Sequence, residues 1–85
     1  LAYNLGMGMP AISPTHKVFC ANLLAARKER GLTQVQMAKL LRMTQPAYAA
    51  LEMGRFMPRL ATIERVARVL DCAPSALLDE AGVLA

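Results

Sequence analysis

Thr33-Gln34 and Thr44-Gln45 repeat one arrangement: a hydroxyl that can cap a helix, then a carboxamide that can both donate and accept hydrogen bonds. Each pair opens a short stretch with helical patterning. The first amides of a helix have no intrahelical acceptor, and the helix dipole makes that end partly positive. Two such ends close together can hold phosphate while their side chains face base edges. The run Gly31-Leu32-Thr33-Gln34-Val35-Gln36-Met37-Ala38-Lys39-Leu40-Leu41, followed by Met43-Thr44-Gln45-Pro46-Ala47-Tyr48, therefore reads as a helix-turn-helix.

Charge supports a polyanionic partner. The 85-residue chain carries a net charge of +4, unevenly spread. Residues 17–59 hold Lys17, Arg27, Lys28, Arg30, Lys39, Arg42, Arg55 and Arg59 against Glu29 and Glu52, eight bases against two acids. Residues 60–85 hold Arg65 and Arg68 against Glu64, Asp71, Asp79 and Glu80. The positive excess thus sits on the half that carries the paired Thr-Gln motifs, where a nucleic acid would dock.

Other chemistries lack their residues. His16 is the single histidine, and Cys20 and Cys72 are far apart, so no zinc ligand set exists. The two cysteines read as buried thiols in a reducing compartment. No Ser–His or Cys–His pattern and no glycine-rich phosphate loop is present, so an enzyme is not expected, nor a cofactor. No apolar run reaches the roughly 18–20 residues that span a bilayer, and no secretory signal pattern opens the chain. The expected setting is cytoplasmic, with no membrane partner.

The elements that must position the motifs follow from periodicity. Residues 1–16 read as an irregular N-terminal tail, since Gly6, Gly8, Pro10 and Pro14 interrupt regular structure. Leu1, Tyr3, Leu5, Met7, Met9 and Ile12 make that tail apolar enough to pack on something. A first helix is expected over Lys17–Arg30, with Val18, Leu23, Leu24 and Arg27 on one stripe and Gly31 closing it. A second starts at Thr33, with a Thr33–Gln36 capping box and a core face of Val35, Met37, Ala38 and Leu41. A third starts after Thr44 and ends near Gly54, with Tyr48 and Leu51 inward. A fourth spans about Arg59–Leu70, with Leu60, Ile63, Val66, Ala67 and Leu70 inward. A fifth spans Pro74 to about Asp79. Residues 81–85 trail off as a C-terminal tail. The expectation is an all-α, five-helix domain over residues 17–80.

Residues 17–80 resemble the Cro/phage-repressor, or XRE-like, helix-turn-helix family. The resemblance rests on Arg27, Gly31-Leu32-Thr33-Gln34, Met37-Ala38, Thr44-Gln45, Tyr48, Leu51-Glu52, Gly54, Pro58, Ile63, Ala67, Leu70 and Leu77-Leu78, at ungapped spacing. It implies a lambda-repressor-like fold and a DNA-binding transcriptional regulator. By that resemblance, Gln34 contacts phosphate, while Gln45, Pro46 and Ala50 face base edges. Thr44 is the other side chain at that helix start able to hydrogen-bond a base. Arg55 and Arg59 touch the DNA backbone, with Arg42 added to them as a basic side chain at the turn. Arg27 and Glu52 match a pair that bridges the first helix to the third.

Three features depart from the family pattern. Arg42 stands where the turn between the second and third helices usually has glycine. The third helix is poor in polar groups, with Pro46, Ala47, Ala49, Ala50 and Met53, so direct base readout is sparse and shape readout gains weight. Tyr48 replaces an aliphatic core residue, and its hydroxyl needs a partner. The reading is a sequence-specific regulator of double-stranded DNA, a homodimeric repressor joined through Leu77, Leu78, Val83 and Leu84, with the tail's Leu5, Met7 and Ile12 added. The rival is a protein-interaction module on the same fold, an antitoxin-like neutraliser or a co-regulator bridge.

Overall fold

A computed structural model describes residues 13–82. Four α-helices and one 3₁₀ turn make up its regular structure: α1 (Pro14–Glu29), α2 (Gln34–Leu41), α3 (Gln45–Glu52), α4 (Leu60–Leu70) and the turn Pro74–Leu78. The expected fifth helix is thus a single 3₁₀ turn. Pro74 supplies no amide, and five residues are too few to nucleate an α-helix. Asn22 Nδ2 instead donates to the carbonyls of Ala76, Leu77 and Asp79 at 3.3, 2.9 and 3.0 Å, which clamps the turn to α1.

Helix α1 begins earlier than Lys17. The Ser13 hydroxyl accepts from the His16 amide, and Pro14 takes the first helical position, where its missing N–H costs nothing. Pro14 therefore starts the helix and does not interrupt it. Gly31 closes α1 with φ +67°, and the Leu32 amide returns to the Arg27 carbonyl at 3.1 Å. The expected capping box on α2 is present in both directions, Gln36 N to Thr33 Oγ1 at 3.1 Å and Thr33 N to Gln36 Oε1 at 2.8 Å.

The core is one cluster drawn from every element: Phe19, Leu23 and Ala26 of α1, Met37, Ala38 and Leu41 of α2, Tyr48 and Leu51 of α3, Ile63, Val66, Ala67 and Leu70 of α4, and Leu77. Two expected core positions lie outside it. Val35 is 51% exposed, because it sits two residues before Met37 on the far side of α2. Leu60 is 77% exposed, because it lies on the inward stripe of α4 but at its open end. On α1 the burial centres on Phe19, Leu23 and Ala26, while Val18 and Leu24 are half-buried. Leu77 is fully enclosed by the core, so it closes the monomer and is withdrawn from the expected dimer surface. Val83, Leu84, Leu5, Met7 and Ile12 lie outside the described residues.

Candidate nucleic-acid interface

A buried carboxylate organises the site. Glu52, at the last position of α3, is 9% exposed, and a buried charge must be neutralised by close partners. Arg27 of α1 supplies a two-pronged contact, Nε to Oε2 at 2.7 Å and Nη2 to Oε1 at 3.1 Å. The Arg27 Nη1 also donates to the Leu32 carbonyl at 2.8 Å, so one guanidinium ties α1, the loop before α2 and α3 together. The Tyr48 hydroxyl, one turn back on α3, donates to Glu52 Oε2 at 2.5 Å, which supplies the partner this phenol requires. Burial pushes the Glu52 carboxyl up, but hydrogen bonds from Arg27, Tyr48 and Gln34 outweigh it and hold the group below its ordinary value. Burial raises the Tyr48 phenol, and its hydrogen bond to Glu52 adds to the shift. The Glu52 contact raises the Arg27 guanidinium.

The network reaches the surface through Gln34. Its Nε2 donates to Glu52 Oε1 at 3.2 Å, and its Oε1 accepts from Gln45 Nε2 at 2.9 Å. The two motif glutamines, at the first positions of α2 and α3, therefore meet. Gln45 is held at the surface by a chain of hydrogen bonds that ends on a buried ion pair. Its own Oε1 has no partner among the described residues and remains available to accept. Pro46 is exposed beside it and Ala50 is half-buried one turn on. The Thr44 hydroxyl accepts from the Ala47 amide at 3.2 Å, so it caps α3 and keeps its proton to give to another group.

The basic side chains sort into two groups. Arg27 is internal, and Arg30 Nη2 donates to the Leu70 carbonyl at 2.6 Å, so it holds the end of α4. Lys39, Arg42, Arg55 and Arg59 are exposed, and the one ion pair among the described residues is Arg27–Glu52. Arg42 ends α2 at φ 58°, ψ 43°, the left-handed conformation expected of the missing turn glycine. Arg55 follows the turn that ends α3, with its amide on the Ala50 carbonyl at 3.0 Å. Arg59 is the residue immediately before α4.

The family model HTH_3, described as helix-turn-helix, matches residues 23–77. The chain belongs to the helix-turn-helix family. The matched span runs from Leu23 in α1 to Leu77 in the 3₁₀ turn and so contains the whole network. The chain is similar to an uncharacterized HTH-type transcriptional regulator, YqaE, of Bacillus subtilis (strain 168), 39% identical over 61 residues that cover 72% of this chain and 53% of the relative. It is also 43% identical over 56 residues to the immunity repressor protein of Bacillus phage phi105, covering 66% of this chain and 39% of that protein. The chain thus spans about half or less of these relatives. A crystal structure of the hypothetical transcription factor NHTF from Neisseria superposes with a TM-score of 0.74 at 25% identity, over 84% of this chain and 82% of that one. The clp gene regulator ClgR of C. glutamicum shares the fold, with a TM-score of 0.72 at 23% identity over 81% and 90% of the two chains. These relatives and neighbours are named as regulators and transcription factors, not as enzymes.

Sequence reasoning paired Arg27 with Glu52 but placed Gln34 and Gln45 apart from them, and missed that all four form one chain. The signal was present in the matched Thr-Gln starts of α2 and α3. Asn22, whose amide fixes the 3₁₀ turn, carried no signal in the patterning.

Proposed function

We propose that this helix-turn-helix domain binds double-stranded DNA sequence-specifically and serves a dimeric transcriptional repressor acting in the cytoplasm. Helix α3 enters the major groove, with Gln45 pairing to a base and the Pro46 and Ala50 side chains packing on base edges. Thr44 adds a hydroxyl donor at the same helix start. Gln34, Arg42, Arg55 and Arg59 contact the sugar-phosphate backbone. The observation that carries this reading is the bonded chain from Arg27 through Glu52 and Gln34 to Gln45. It pre-orients a carboxamide at the start of α3, beside helix ends suited to phosphate. The relatives' names, a transcriptional regulator and an immunity repressor, agree with the reading.

Two substitutions test the assignment in gel-shift titrations. Gln45→Ala should relax preference at one base pair, at a cost of about 1–3 kcal/mol on the selected duplex and little on random DNA. Arg55→Ala should weaken selected and random duplexes alike. Equal losses on both kinds of duplex for both variants would refute the division between base and backbone contacts.

A further inference from the structure

A cleft of about 540 Å³ lies between the end of α2 and the middle of α4, lined by Leu40, Arg42, Arg65, Arg68 and Val69. Three of these side chains end in guanidinium groups, and among the described residues none of the three is in an ion pair. Arg68 follows Glu64 by four positions on α4, the spacing at which a glutamate and an arginine meet along a helix. The two are nevertheless unpaired, and Arg68 lines the cleft instead. Arg65 is anchored there, since its Nη1 donates to the Leu41 carbonyl at the end of α2 at 3.2 Å. Arg42 completes the set from a left-handed backbone position, φ 58°, that disfavours any side chain. Such outliers gather where a side chain is needed for binding.

Charge and apolarity together define the occupant. Convergent guanidinium groups with no carboxylate of their own attract an anion, and their planar forks match a carboxylate with two parallel hydrogen bonds. Leu40 is 52% exposed and Val69 is half-buried, so the same cleft keeps apolar side chains for a partner to cover. A phosphate ion or a DNA strand would answer the arginines and leave Leu40 in water. A segment that carries both carboxylates and apolar side chains satisfies both. The cleft is also set apart from the Gln34–Gln45 contact. Gln34 opens the eight-residue α2 and Leu41 closes it, so the two ends lie about 10 Å apart along the helix axis. Arg65 and Arg68 lie roughly two turns along α4 from Arg59, the backbone-contact candidate at its start.

We propose that this cleft docks an acidic, leucine-containing segment of a partner protein. The carboxylates of that segment pair with Arg42, Arg65 and Arg68, and its apolar side chains cover Leu40 and Val69. The proposal goes beyond the DNA reading and shares only Arg42 with it, so the test rests on Leu40 and Arg68, both exposed. The probe is a fluorescein-labelled synthetic peptide in which Glu and Asp alternate with Leu, titrated with the full chain by fluorescence anisotropy at low salt. Two control peptides replace the acids by Gln and Asn, or the leucines by Ala. The parent should bind the acidic leucine peptide more tightly than either control, and the amide resonances of Leu40, Arg65, Arg68 and Val69 should shift most. Leu40→Ser combined with Arg68→Gln should weaken the peptide by about tenfold, with the melting temperature and the gel-shift affinity for a selected duplex close to the parent's. Arg55→Gln should leave the peptide affinity unchanged. Equal binding of acidic peptides with and without leucine would show a site for anions only and overturn the protein partner. Equal losses of peptide and duplex affinity in the double variant would assign the cleft to DNA and overturn it too. A parent that does not bind the peptide, or a double variant that binds it as tightly as the parent, would overturn the cleft even if DNA binding is strong. Docking of the peptide here by a parent that binds no DNA would support the cleft and count against the DNA reading alone.

Discussion

Glu52 accepts four hydrogen bonds from three side chains, so its removal strands a buried guanidinium as well as two polar groups. Glu52→Ala should cost about 3–5 kcal/mol. For a domain of this size that lowers the melting temperature by roughly 12 °C or more, measurable by circular dichroism. A shift of a degree or two would mean that the pair behaves as an exposed surface contact. The same carboxylate sets a pH dependence. Its value in the folded state lies below the ordinary 4.5, so the folded state favours the charged form. The stability it contributes is fully present above about pH 4.5 and is lost as pH falls through the lower folded value. Denaturant midpoints should therefore be insensitive to this group near neutrality and drop below that pH, and Glu52→Gln should flatten the drop. The Arg27–Glu52 pairing was legible from residue spacing through a family resemblance. The demand of the Tyr48 hydroxyl for a partner was legible from its chemistry. The group that satisfies it, Glu52, lies four residues on along the same helix, a spacing the sequence reading did not use.

Helix starts were the most readable feature at the scale of elements, since a cap is a local contact between residues three apart. The Thr33–Gln36 box and the Thr44 cap needed no knowledge of tertiary structure. The start of α1 was misplaced because Pro14 was weighed as a breaker, whereas Ser13 before it makes it a helix opener. Core faces were less readable at helix ends. Val35 and Leu60 both occupy first turns, where apolar character does not guarantee that another element covers the residue. The turn before α3 gives a test of backbone energetics. Arg42 pays the side-chain penalty of the left-handed region, which glycine avoids. Arg42→Gly should stabilise the domain by about 1 kcal/mol in urea unfolding and also lower the salt dependence of DNA binding by about one phosphate. Stabilisation with no change in that dependence would remove Arg42 from the backbone contacts.

Among the described residues, Lys39, Arg42, Arg55 and Arg59 are exposed on the segments that bear and follow α2 and α3. Arg27 and Arg30 were counted with them from sequence but are engaged within the fold's own hydrogen bonds, Arg27 on the buried Glu52 and the exposed Arg30 on the end of α4. Charge counts cannot distinguish a solvated arginine from one that donates to a carbonyl forty residues away. The dimer surface illustrates the same limit. Leu77 and Leu78 are adjacent in sequence, yet one is enclosed and the other exposed, because the clamp from Asn22 orients the 3₁₀ turn.

DNA binding by the helix-turn-helix is the central claim, and its salt dependence tests it most directly. Gel-shift affinities for a selected duplex, measured from about 50 to 200 mM salt, should fall linearly on logarithmic axes. Contacts to about four to six phosphates per monomer predict a slope between about −3.6 and −5.4 per monomer bound. A random duplex should bind more weakly with a comparable slope. No binding to any duplex at the lowest salt, or an affinity indifferent to salt, would contradict the account.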